Sequence, residues 1–149
     1  MKGMRVGVKI LIVEDEPILA TELESIILEM GHDVVGVAAS SQAALQLAAT
    51  SQPDIALVDI HLSNGPTGAS AAREIAEVGN ATVLFTTSNP ERLPPDFASA
   101  CGVLTKPYSD TSLKSAITFI TDCIASGKAT GPKPHMLKLA PNFRERWRA

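Results

Sequence analysis

Four apolar runs in this chain end in residues that can do chemistry. Glu14-Asp15-Glu16 follows Ile10–Val13, Asp59 follows Ile55–Val58, Thr86-Thr87-Ser88 follows Val83–Phe85, and Thr105-Lys106 follows Gly102–Leu104. Carboxylates gathered at one sheet edge repel each other unless a cation offsets them. An all-oxygen donor set with no Cys or His cluster favours a hard ion such as Mg²⁺. A carboxylate beside that ion can act as nucleophile toward a phosphoryl group. Transfer then requires charge to be neutralised on three equatorial oxygens. The metal can serve one, Lys106 a second, and the Thr87 hydroxyl with backbone N–H groups the third.

These residues share a site only if the elements before them lie side by side. Ile10–Val13 and Ile55–Val58 are continuously apolar, as in strands buried on both faces of a parallel sheet; Val34–Ala38, Val83–Phe85 and Gly102–Leu104 read similarly. Between the first two strands, Leu19, Leu23, Ile26, Ile27 and Met30 recur at helical spacing, with Pro17 at the start and Gly31 at the end. Further helices are predicted over Ser40–Thr50, capped by Ser40 or Ser41, and over Thr67–Val78, closed by Gly79. The last begins near Ser109 or Asp110, with Leu113, Ala116, Ile117, Ile120 and Ile124 on one stripe. Strands alternating with helices predict an α/β fold with a doubly wound, five-stranded parallel sheet. Ligands of such sheets bind beyond the carboxyl ends of the strands, where the polar residues above fall. One segment interrupts the alternation. Pro90, Pro94 and Pro95 stand where a fourth helix is due, so that helix is expected to be shortened or lost, with a short turn around Asp96–Ala100.

The 149 residues suit one domain, and no apolar run reaches the ~18–20 residues of a membrane span. Met1–Lys9 lacks the pattern of a secretion signal, and Cys101 and Cys123 have neither metal-ligand nor redox spacing. The expected localisation is cytoplasmic, with both thiols reduced. The net charge of −3 is unevenly spread. Residues 127–149 hold Lys128, Lys133, Lys138, Arg144, Arg146 and Arg148 against Glu145, so a basic tail of +5 follows a body of −8. The tail opens with Gly127, Gly131, Pro132 and Pro134 and reads as a loop or linker. Phe143 and Trp147 within it either bind a partner or pack back on the domain. The tail is too short for a helix-turn-helix, so nucleic acid is not expected as a partner. Attraction to the acidic body or to an acidic protein is the expected use of its charge.

Ile10-Leu-Ile-Val-Glu-Asp-Glu16, Pro53-Asp-Ile-Ala-Leu-Val-Asp-Ile60, Val83-Leu-Phe-Thr-Thr87 and Leu104-Thr-Lys-Pro107, in that order, resemble the receiver domains of two-component response regulators from about Lys9 to Ser126. The resemblance implies a flavodoxin-like sheet of order 2-1-3-4-5, with Asp59 as phosphoacceptor and Asp15 as a direct Mg²⁺ ligand. It also implies that Glu14 holds the metal, often through water, with the His61 backbone carbonyl as a third protein ligand. Lys106 would contact the phosphoryl group, Thr87 would be the switch hydroxyl, and the Lys106–Pro107 bond would be cis. On this reading residues 1–126 are the receiver and residues 127–149 a tail, with no output domain.

Such a chain would take its phosphoryl group from a histidine kinase or phosphotransfer protein and signal by protein contact; homodimerisation is left open. Its catalysis would be limited to its own phosphorylation and dephosphorylation. Three features depart from the family. Val103 stands where an aromatic switch residue is usual, the spacing from Thr87 to Lys106 reads as a few residues short with the prolines inside that gap, and the loop His61–Gly68 reads as one residue longer. The rival reading is a pseudo-receiver, an interaction module that does not need phosphorylation. An aspartyl phosphatase usually has a second Asp two residues after the nucleophile, and here that position is His61.

Overall fold

A computed structural model describes residues 7–61 and 68–148. The strands are β1 (Lys9–Val13), β2 (Asp33–Ala38), β3 (Ile55–Asp59), β4 (Thr82–Thr87), β5 (Gly102–Thr105) and β6 (Leu137–Leu139). The helices are α1 (Pro17–Glu29), α2 (Ser41–Ser51), α3 (Gly68–Gly79), α4 (Asp110–Ser126) and α5 (Pro141–Arg146). The sheet order is β2-β1-β3-β4-β5-β6, and the first five strands run parallel. Alternation along each buried strand divides the core in two. Ile10, Ile12, Ile55, Leu57 and Leu84 pack with Leu23, Ile27, Leu113 and Ile117 of α1 and α4. Leu11, Val13, Ala56, Val58 and Phe85 pack with Ala44, Ala48, Ala72 and Ile75 of α2 and α3. Each fully buried Ile or Leu contributes about 1.5–3 kcal/mol relative to exposure, so a one-residue register slip is strongly disfavoured.

The helix ends follow their local chemistry. Pro17 occupies the first turn of α1, and Gly31 takes φ 91 just past its end. Ser40 Oγ accepts from Ala43 N (3.2 Å), and Ser109 Oγ accepts from Ser112 N (3.0 Å), which caps α2 and α4. Gly127 ends α4 at φ 76.

The fourth helix is lost, as the prolines require. Residues 89–100 instead form two single 3₁₀ turns, Pro90–Arg92 and Phe97–Ser99. The second is left-handed, with φ 54, 51 and 69 at Phe97, Ala98 and Ser99. None of these is glycine, and each such residue costs about 1–2 kcal/mol relative to right-handed backbone.

The expected five-stranded sheet is corrected to six. The segment read as a linker and tail supplies β6, which runs antiparallel to β5 with Gly102 opposite Leu139 and Leu104 opposite Leu137. Leu137, Leu139 and Trp147 join the α1–α4 half of the core, so the tail's apolar residues pack back on the domain. Gly102 permits this pairing, because a Cβ there would stand 2.5 Å from the Lys138 carbonyl oxygen. The six cations of the tail stay exposed on its outer side.

Candidate functional site

The parallel register brings the carboxyl ends of β1, β3, β4 and β5 to one edge. Glu14 follows β1 directly and is 3% exposed; Asp59 ends β3 and is 7% exposed. Asp15 is half-buried beside them. Glu14, Asp15 and Asp59 each offer a carboxylate oxygen within 4.8 Å of the other two. Lys106, just past β5, donates from Nζ to Asp59 Oδ2 at 3.3 Å and stands 3.7 Å from Glu14 Oε1. The Lys106–Pro107 peptide bond is cis.

Backbone groups fix the carboxylates. Glu14 Oε2 accepts from Glu16 N (3.2 Å), and Asp59 Oδ1 accepts from His61 N (3.0 Å). Glu16 itself is exposed, so of the acidic triplet only Glu14 and Asp15 enter the cluster. Thr87 is 1% exposed at the end of β4, and its hydroxyl accepts from Asn89 N at 3.0 Å. The Thr87 carbonyl accepts from Lys106 N at 2.8 Å, which ties β4 to the residue carrying the amine. Thr86 lies opposite Asp59 in the ladder, and Ser88 is exposed. His61 is exposed; the remainder of the loop expected to be longer, residues 62–67, lies outside the described residues.

The electrostatics favour a cation. Burial, and then the charge of Asp59, push the Glu14 carboxyl up to about 7, against the opposing pull of Glu16 N–H and Lys106. Its Oε1 is buried and has no hydrogen bond among the described residues, the Lys106 amine being in ion-pair range but too distant to donate well. A three-carboxylate cluster with an unsatisfied buried acceptor and one amine fits a hard divalent ion bound through oxygen.

Between the ordinary carboxyl range and about 7, the folded chain keeps a proton on Glu14 that the unfolded chain has released. Stability therefore falls as pH rises through that window, and the full cost is present above it. Glu14→Gln is expected to raise the melting temperature at pH 8 in EDTA, and to raise it less at pH 5. Equal shifts at both pH values in thermal melts would contradict this electrostatic account.

Tyr108 is the residue that sequence reasoning missed. Its phenol is pushed up to about 12, chiefly by burial and then by Glu14 and Asp59, and its hydroxyl has no hydrogen-bond partner among the described residues. With Leu19, Leu23, Ile26, Lys106 and Pro107 it lines a groove of about 270 Å³ beside the carboxylates. An aromatic after Lys-Pro is the only signal the sequence offered, and it reads equally well as packing at a helix start.

A family profile described as the response regulator receiver domain matches residues 10–118. The phyllosphere-induced regulator PhyR of Methylorubrum extorquens is 33% identical over 112 residues, covering 74% of this chain and 42% of that protein. The transcriptional regulatory protein PdtaR of Mycobacterium tuberculosis is 32% identical over 112 residues, covering 73% and 54%. The chain thus spans about half the length of these curated relatives. Among solved structures, the PhyR receiver domain of Erythrobacter litoralis superposes with a TM-score of 0.67 at 30% identity, covering 85% of this chain and 95% of that one. The anti-anti-sigma factor PhyR of Bartonella quintana gives 0.69 at 28% identity, covering 83% and 52%.

Proposed function

This chain belongs to the response regulator receiver domains, and on that premise we propose that it accepts a phosphoryl group on Asp59 in a Mg²⁺-dependent reaction. The observation that carries this reading is the cluster of Glu14, Asp15 and Asp59 with the Lys106 amine 3.3 Å from Asp59. Glu14, Asp15, Asp59 and the His61 carbonyl would hold the metal, which when bound neutralises charge on the transferring group. Asp59 Oδ attacks phosphorus in line with the leaving oxygen of the donor, forming one P–O bond as the other breaks. Lys106, already paired with both carboxylates, turns its amine toward an equatorial phosphoryl oxygen. Thr87 supplies a hydroxyl to another.

The donor is a histidine kinase or phosphotransfer protein, which must approach over the strand ends. Ile18, 73% exposed in the first turn of α1, and the Tyr108 groove are the apolar surface beside that approach. The product is a signal rather than a metabolite, and it leaves by protein contact. The PhyR of Bartonella quintana has been solved in complex with the anti-sigma factor NepR, over a match to 54% of this chain and 33% of that one with a TM-score of 0.51. A protein partner is the kind of output we propose here.

The pseudo-receiver reading is favoured by Val103, fully buried where an aromatic switch is usual, and by the missing fourth helix. Calorimetry with Mg²⁺ separates the two. Wild type should bind one ion, and Asp15→Asn should bind it at least about tenfold more weakly. No heat of binding in either protein would favour the interaction module.

A further inference from the structure

We propose that the groove between α4 and the loop leading into β6 is a docking site for an acidic protein segment with apolar anchors. This surface does not depend on the chemistry at Asp59.

The tail makes the groove. Residues 130–136 run beside α4, and the space between the two walls is about 670 Å³, a size typical of ligand sites. The loop wall is fixed at both ends. Ala129 N donates to the Trp147 carbonyl at 2.8 Å, and Leu137 N donates to the Pro134 carbonyl at 3.2 Å. Lys133 Nζ donates to the carbonyls of Pro134 and Leu137, and Pro132 and Pro134 restrict φ on either side of it. A wall already ordered loses little conformational entropy when a partner binds.

The floor of the groove is apolar and its loop side is cationic. Phe119 and Met136 supply the apolar contact, and Met136 is 44% exposed. A methionine there can adapt its shape to the side chain it meets. Lys133 and His135 stand on the loop wall, and Asp122 is the one carboxylate in the lining. Lys114, on the α4 wall, is held by Glu29. The unbalanced positive charge therefore lies on the tail side.

The rest of the tail adds charge of the same sign. Lys128 precedes the loop wall by two residues, and the Ala129–Trp147 hydrogen bond sets its backbone against that of Arg148. Among the described residues no tail cation forms an ion pair with the acidic body. Arg148 meets Glu145 within the tail, and Leu137, Leu139 and Trp147 hold the segment through apolar contacts. The +5 charge is thus left to a partner. An acidic segment carrying large apolar side chains complements both the floor and the rim. Nucleic acid fits less well, because its phosphates would meet Asp122 and leave the Met136 floor unfilled.

Fluorescence anisotropy on the full chain tests this, using a labelled peptide rich in Glu and Leu, its Lys-for-Glu counterpart and a DNA duplex. The acidic peptide is expected to bind wild type, and more weakly as salt rises. Met136→Gln should weaken it at least about fivefold and Lys128→Glu at least about threefold, with Met136→Leu near wild type. Arg92→Glu, the same charge reversal at an exposed position of the body, should leave binding unchanged. Each variant should melt as wild type does, since all three positions are exposed. Equal losses in Arg92→Glu and Lys128→Glu would reduce the effect to net charge and overturn the site, as would full affinity in Met136→Gln. Tighter binding of the duplex or of the Lys-rich peptide would overturn the partner class. Self-association that Met136→Gln abolishes would overturn it in favour of a second copy of this chain. No binding of the acidic peptide at low salt would overturn the proposal outright.

Discussion

Lys106→Ala is expected to slow phosphoryl uptake at Asp59 by about 10²–10³-fold, the usual cost of removing one charge-stabilising donor from a preorganised site. The amine is held where charge develops. It lies 3.3 Å from Asp59 and 3.7 Å from Glu14, and its side chain is only 23% exposed. Lysine is a compact point charge, whereas the arginine fork needs room for two parallel hydrogen bonds. Lys106→Arg is therefore expected to recover little of the rate. Mg²⁺ affinity should rise modestly in Lys106→Ala, because a competing cation leaves the cluster. Rates followed by intact mass with a small phosphodonor check this. A loss below about threefold would mean that the amine only balances the carboxylates before reaction.

Trp147→Ala is expected to destabilise the chain by about 3–5 kcal/mol, a large share of the 5–15 kcal/mol typical of a domain. The indole is 5% exposed, although it lies two residues from the end of the sequence given. It meets Phe143 edge to face at a centroid distance of 5.0 Å. Its backbone carbonyl accepts from Ala129 N at 2.8 Å, and its N–H donates to the Phe143 carbonyl at 2.8 Å. The same apolar cluster includes Leu137, Leu139, Phe119, Ile120 and Cys123, so the loss is felt through β6 and α4 together. For a chain of this size the melting temperature should fall by roughly 10 °C in a single transition. An unchanged melt would mean that the α5 segment is only loosely attached.

The site was more legible than the tail because its signals are local. An apolar run followed by Glu14-Asp15, or by Asp59, identifies a strand end and its chemistry within a few residues, and parallel pairing then aligns those ends. Adjacent carboxylates look equivalent in sequence, and only the resemblance separated Glu14 and Asp15 from Glu16; the turn into α1 sends Glu16 to solvent and leaves only its N–H in the site. β6 could not be read from periodicity, since three residues hold barely one alternation, and its partner Gly102 lies 37 positions before Leu139. The left-handed turn was hidden for another reason. Phe97, Ala98 and Ser99 carry none of the Gly or Asn signal that usually marks positive φ, and it is Arg73, far back on α3, that clamps them. The prolines showed where a helix could not form, but not what would replace it.

The central claim is a phosphoryl group on Asp59, and intact mass after incubation with Mg²⁺ and acetyl phosphate tests it most directly. Wild type should gain one base-labile phosphoryl adduct of about 80 Da that EDTA prevents, and Asp59→Asn should gain none. An adduct that persists in Asp59→Asn, or no adduct on wild type under any Mg²⁺ concentration, would contradict the account.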